Sequence, residues 1–358
     1  MNKTRRKRSA TFKTKVVLDM LKETQTLAQL SGKHGVSKMK NEPQEVNMIK
    51  KKRIVGAVTL FFSMLPLWCG VVPPEEPEQP FPTLKGEYLG QKRPGLTPEI
   101  FAPGIVSTRL VEATITFSPD GKEFYFTRWN QLKGGNNTIW MGKIENQQWT
   151  APKVAPFSGK YFDYESHISP DGKRLYFGTT RPFQGDGPPI DEHEWVLEKT
   201  AAGWSTPKPL GSPFKERFVM YATEAKNRNI YFSGKKPNSN SCEICVSRWI
   251  DGKYQEPGSL SQETINRFFH AAHPFIAPDE SYLIYDARVT SNSPSNLYIS
   301  ARKRDGTWIK SKPLGQEINT SNEEMCATVS PDGQYLFFSR GPHIYWVDAK
   351  ILENYKKE

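Results

Sequence analysis

Five basic residues each fall two to four positions past an aromatic in an apolar segment: Arg128, Arg181, Lys235, Arg288 and Arg340. Ahead of the same segments stand Glu112, Asp163, Glu165, His167, Tyr221, His270, His273 and Glu324. If the fold gathers these groups, cations and carboxylates at one mouth would hold a carboxylated sugar or the acidic end of a peptide. The competing reading is a ring of mutually paired charges that closes the same space. The candidate ligand-binding set is Glu112, Arg128, Asp163, Glu165, Arg181, His270, His273, Arg288, Glu324 and Arg340. Trp129, beside Arg128, would stack on a sugar or fill an edge. His167, His270 and His273 with Glu165 form a donor set of the metal-binding type. Their spacing reproduces no ligand motif, so no metal and no other cofactor is assigned. The loop 184–194 adds Asp186, Asp191 and His193 to the same region, with a solvated loop as its default reading. Cys242 and Cys245 make one CxxC without a second pair, read as two strand residues. No nucleophile elbow, phosphate loop or Cys-His pairing is present. No catalytic residue is assigned, and the chain reads as a binding module rather than an enzyme.

The elements that must position these residues are repeats. A hairpin with a Ser-Pro-Asp-Gly-type turn runs over 117–126 and 168–177, and recurs over 225–232, 276–285 and 329–338. Pro presets the turn, Asp bonds its own backbone and Gly takes the left-handed position. Asp120, Asp171, Asp279 and Asp332 are therefore turn-formers. The third unit departs from the pattern, with Ala225-Lys-Asn-Arg in place of Ser-Pro-Asp-Gly. The apolar residue opening each exit strand stands at 124, 175, 230, 283 and 336. A third strand follows each hairpin. A fourth begins with an aromatic near a Pro, at Trp149, Trp204, Tyr254 and Trp308, and Pro places it at the sheet edge. Four strands per repeat of this length make a propeller blade. The chain ends after the third strand of its fifth unit, and residues 96–100 match the missing outer strand. The expected fold is an all-β, five-bladed β-propeller of four-stranded blades closed by an N-terminal strand. Six blades is the alternative if residues 81–110 form more than one strand.

The Ser-Pro-Asp-Gly hairpins resemble the TolB-like family of WD-repeat-like bacterial propellers over about residues 86–350. The resemblance implies an extracytoplasmic location and a protein or glycan partner at the channel-mouth face. Some related propellers are metal-dependent polysaccharide lyases.

The formal net charge of +11 is carried by residues 1–53, which hold 15 Lys/Arg and 4 Asp/Glu. The remainder holds 34 of each. The propeller therefore has no electrostatic case for nucleic acid. From Met48 a basic stretch, an apolar run from Ile54 and Cys69 follow in the order of a secretory signal, with the acidic, Pro-rich linker 73–85 behind it. Cys69 is a candidate lipidation site, and 48–72 is a signal peptide or a membrane anchor. Residues 5–38 resemble the helix-turn-helix start of a small insertion-sequence transposase subunit, but Pro43 interrupts the place of its recognition helix. Segment 1–47 reads as a fusion remnant, and 351–358 as a C-terminal tail. The expected function is an exported periplasmic or cell-envelope binding propeller. The alternatives are a metal-dependent carbohydrate-active enzyme (polysaccharide lyase or hydrolase) and a membrane-anchored DNA-binding regulator.

Overall fold

The computed structural model describes residues 81–130, 136–185 and 187–356. The transposase-like segment, the signal or anchor with Cys69, the first part of the linker, and Asp186 lie outside the described residues. Among the described residues no helix is long and apolar enough to cross a membrane.

Among the described residues five antiparallel blade sheets follow one another, with a two-stranded ribbon of Trp249–Ile250 and Lys253–Tyr254 beside the third. Blade 1 has its inner strand at Val111–Phe117, then Glu123–Asn130, Asn136–Glu145 and the outer Lys153–Val154. Blade 2 runs Asp163–Ile168, Arg174–Thr179, His193–Thr200 and Lys208–Pro209. Blade 3 runs Met220–Glu224, Ile230–Lys235, Cys242–Ser247 and Gly258–Ser259. Blade 4 runs His270–Ile276, Tyr282–Arg288, Asn296–Ala301 and Lys312–Pro313. Blade 5 runs Glu324–Val329, Tyr335–Arg340 and His343–Asp348, and its outer strand is Glu99–Ile100. The pairing Glu99↔Trp346 and Ile100↔Tyr345 closes the ring as expected, and the blade count is five.

The hairpin turns are built as their residue types dictate. Asp120 Oδ1 accepts from the Ser118 hydroxyl at 2.6 Å and the Lys122 amide at 3.1 Å. Asp171 and Asp332 repeat this, with Gly121, Gly172 and Gly333 in the left-handed region. In the divergent third unit Asn227 takes the Asp role, accepting from the Asn229 amide at 3.0 Å, and Arg228 occupies the glycine position at φ 70°. Arg228 lies 3.7 Å from the Trp249 ring.

One detail of the outer strand differs from the sequence reading. Trp149, Trp204 and Tyr254 do not open it. They pair back onto the end of the third strand or the residues just after it, as in Ile144↔Trp149 and Lys199↔Trp204. The outer strand proper begins a few residues later. The core lies in the seams between blades. The seam between blades 5 and 1 is aromatic: Phe101, Phe117, Phe124, Phe126, Phe337 and Trp346 are all buried. Each such side chain contributes roughly 1.5–3 kcal/mol by burial. Phe101 follows the closing strand directly, so closure and core formation in this seam are coupled.

Candidate functional site at the channel axis

The charged residues at the blade mouths divide into two kinds. In blades 1, 2 and 5 the first acid of the inner strand pairs with the arginine near the end of the second. Glu112–Arg128 is 3.0 Å, Asp163–Arg181 is 2.9 Å and Glu324–Arg340 is 3.0 Å. All three carboxylates are fully buried. Each also accepts from the loop that precedes it, through Thr108, Ser158 and Gly159, and Thr320. Each arginine donates to carbonyls of that loop and packs its guanidinium over aromatic rings of its own blade. These are braces that fasten the incoming loop, and they take up six of the ten candidate residues. Blades 3 and 4 carry Val219 and Ala271 at the acid's position and have no such brace. Arg288 instead pairs with Glu323 of the next loop at 2.7 Å, and Lys235 is exposed.

Two residues beyond the brace position, the backbone does the same unusual thing in every blade. Thr114, Glu165, Tyr221, His273 and Cys326 all have left-handed φ, between 45° and 55°. Each inner strand shifts register at this point. Left-handed φ in non-glycine residues costs of order 1–3 kcal/mol each and gathers at functional sites. The bulge turns these side chains away from ordinary strand alternation, and residues from distant blades meet. His273 Nε2 of blade 4 lies 3.2 Å from Glu165 Oε1 of blade 2. The Tyr221 ring of blade 3 stands perpendicular to the His273 ring at 5.5 Å, and its hydroxyl donates to the Ala327 carbonyl of blade 5 at 3.1 Å. Cys326 of blade 5 completes a trio with Glu165 and His273 whose ligand atoms lie within 4.8 Å of one another.

Asp286 anchors this group. Its Oδ1 accepts from His273 Nδ1 at 2.7 Å and from the Cys326 amide at 3.2 Å, and its Oδ2 accepts from Ser295. Burial works against the imidazolium of His273, but the facing Asp286, Cys326 and Glu165 outweigh it and hold its pKa well above the ordinary histidine value. Burial pushes the Cys326 thiol up to about 12, with His273 opposing.

A second set of acids lines the blade 2 side. Tyr164 faces Gly178, which faces Glu194. A Cβ on Gly178 would stand 2.5 Å from the Tyr164 ring, so glycine is required for the ring to cross there. Both Glu194 oxygens are buried without a hydrogen-bond partner among the described residues, and the Ala222 amide faces them without reaching bonding geometry. Burial, then the charge of Glu165, raise the Glu194 pKa well above the carboxylate range. Glu192 is half-buried, and its pKa is raised by burial and then by Glu165 and Asp191, against the nearby Tyr164 hydroxyl.

Of the imidazoles read from the sequence, His273 alone meets Glu165. His167 is buried, and its Nε2 accepts from the Glu224 amide at 3.1 Å. Burial lowers its pKa to about 4, so it is a neutral core residue. His270 Nδ1 accepts from the Cys242 amide at 3.1 Å. Cys242 and Cys245 are free thiols three residues apart on one strand, so they face opposite sides of the sheet. Trp129 is 41 % exposed. Cys326, Asp286, Glu192 and Glu194 were not among the sequence candidates. Aligning the five inner strands on the position two past Glu112, Asp163 and Glu324 would have shown Cys326 and His273 as equivalents of Glu165.

No protein-family model matches the chain, and no curated protein does. Among solved structures the chain is similar to an α-L-arabinofuranosidase from Lactobacillus brevis, at 18 % identity and TM-score 0.44, covering 64 % of this chain and 83 % of that one. It is similar to an endo-arabinase from Bacteroides thetaiotaomicron, at 14 % identity and TM-score 0.44, covering 72 % and 97 %. It is also similar to a thermostable family-43 glycoside hydrolase, at 15 % identity and TM-score 0.45, covering 68 % and 90 %. The expectation of a non-enzymatic binding module is corrected here. These three structures are named for carbohydrate-active enzymes, the reading carried above as its alternative.

Proposed function

We propose that the protein is a carbohydrate-active enzyme that cleaves a glycan at the mouth of the propeller channel. The observation that carries this reading is a pair of unlike acids, Glu165 and Glu192, near enough for the charge of Glu165 to act on the Glu192 carboxyl. Glu165 is ion-paired with His273 at the left-handed bulge of its inner strand. Glu192 is a half-buried carboxyl whose pKa is raised. Cleavage of a glycosidic bond needs this combination: a carboxylic acid to protonate the leaving oxygen, and a carboxylate as base or nucleophile. Glu192 is assigned as the acid and Glu165 as the carboxylate. His273, oriented by Asp286, is the positioning residue for Glu165. The hairpin turns support membership in a TolB-like group of propellers. The basic-then-apolar stretch from Met48 supports export to the periplasm or cell envelope, with a glycan as the partner at the mouth.

The test is release of reducing ends from a panel of polysaccharides, arabinan among them. Wild-type protein is expected to cleave at least one, and Glu165→Gln and Glu192→Gln to lose about 100- to 10,000-fold in kcat. A wild type inert on the whole panel, or variants as active as wild type, would refute the reading.

A further inference from the structure

The trio on the axis has a composition that the acid pair does not explain. Glu165, His273 and Cys326 come from blades 2, 4 and 5, and each sits at the left-handed bulge of its inner strand. We infer that they form a metal site of the zinc type, holding one divalent cation through the Glu165 carboxylate, His273 Nε2 and Cys326 Sγ. The inference competes with the glycan-cleaving reading for Glu165, since a carboxylate held by a cation is not free to act as base or nucleophile, and it would survive the failure of that reading.

Four observations converge on it. First, the donors are an imidazole, a thiol and a carboxylate, the ligand types zinc takes, and three protein ligands leave a fourth position open. Second, the nitrogen–oxygen spacing fits. Bonds of about 2.0 Å to nitrogen and oxygen give a tetrahedral edge of roughly 3.3 Å. The His273 Nε2 to Glu165 Oε1 distance is 3.2 Å, and all three ligand atoms lie within 4.8 Å of one another. Third, the outer support is already in place. Asp286 holds Nδ1 of His273 at 2.7 Å, which leaves Nε2 to face the cation, and the same oxygen accepts from the Cys326 amide. A carboxylate behind a ligating histidine is the usual way such a ring is fixed. Fourth, Glu165 Oε2 is buried with no hydrogen-bond partner among the described residues. An ion pair with His273 uses only its other oxygen.

Binding is a proton exchange with no redox change. The cation displaces the thiol proton of Cys326 and, where the ring is charged, the Nε2 proton of His273. Both leave to solvent, and Asp286 keeps the Nδ1 proton.

The experiment is a titration of reduced, metal-free full-length protein with Zn²⁺ by calorimetry and with Co²⁺ by absorption. One zinc per chain is expected, together with a cobalt–thiolate charge-transfer band that Cys326→Ala removes and Cys242→Ala keeps. Asp286→Asn should weaken zinc by roughly 10- to 100-fold, and Glu165→Gln by at least as much. Melting temperatures read without metal identify a misfolded variant, and Glu165→Gln carries the test if Cys326→Ala fails to fold. Absence of stoichiometric binding by wild type, or a cobalt–thiolate band that survives Cys326→Ala, would overturn the site. Zinc bound without any glycan cleavage would leave the metal site standing and sink the enzymatic reading alone.

Discussion

The two ends of the inner hairpins obey opposite rules. At the turn end, the blades use nearly one chemistry: an Asp or Asn accepting from the backbone two residues on, with a left-handed residue after it. At the bulge end the backbone repeats just as faithfully, with left-handed φ in all five blades, yet the side chains are Thr, Glu, Tyr, His and Cys. A position needed only for folding settles on the residue that makes the turn at least cost. Here a costly backbone is kept five times over while the side chain is free to differ. Strain of that kind, with chemically diverse residues converging on an axis, is what a working site looks like. The braces stand between these extremes, near-identical in blades 1, 2 and 5 and replaced by apolar residues in blades 3 and 4.

The comparison can be broken most forcefully at the braces. Removing one partner of a buried ion pair leaves a buried charge alone, so Glu112→Ala or Arg128→Ala should cost about 3–5 kcal/mol in denaturant unfolding. Arg288→Ala, which breaks the exposed pair with Glu323, should cost no more than about 1 kcal/mol. Equal losses at the two places would dissolve the distinction between brace and rim.

His167 comes next. Its pKa falls from the ordinary value to about 4 on folding, because burial disfavours the charge. The folded state therefore binds its proton less well than the unfolded chain does. Stability from this group is full above pH 6.5 and is lost as pH falls from there towards 4, by roughly 3 kcal/mol in all. Melting curves of wild type and His167→Gln across that range should converge as pH falls. Parallel curves would place the acid sensitivity elsewhere.

The smallest effects belong to the turns. Asp171→Ala and Asp332→Ala each remove hydrogen bonds at an exposed hairpin and should cost about 1 kcal/mol, with cleavage unaffected. A turn variant that abolished activity while still folded would erase the contrast between the two ends.

The fold was legible because its determinants are local. Pro, Asp and Gly at one turn announce a hairpin regardless of what lies across the molecule, and repetition gave the blade count and the closing strand. Misplacing Trp149 and Trp204 came from reading an aromatic near a Pro as one element, when a short hairpin separates them. The site was legible only in part. Glu165 and His273 stand out by type, but so does His167, and only the bulge at Glu165 separates a residue at the axis from one in the core. Cys326 carries no local signal, because its partners lie 53 and 161 positions earlier in the sequence. Nothing local in the sequence marks Asp286, a carboxylate that works through another residue's ring.

The central claim is that the bulge residues do the protein's work while the repeated residues hold its shape. The direct test is Glu165→Gln, with turnover on the cleaved polysaccharide and melting temperature measured on the same preparation. The expected result is a loss of about 100-fold or more in kcat with the melting temperature nearly unchanged. A variant that cleaves as wild type, or one that loses activity only because it unfolds, would contradict the claim.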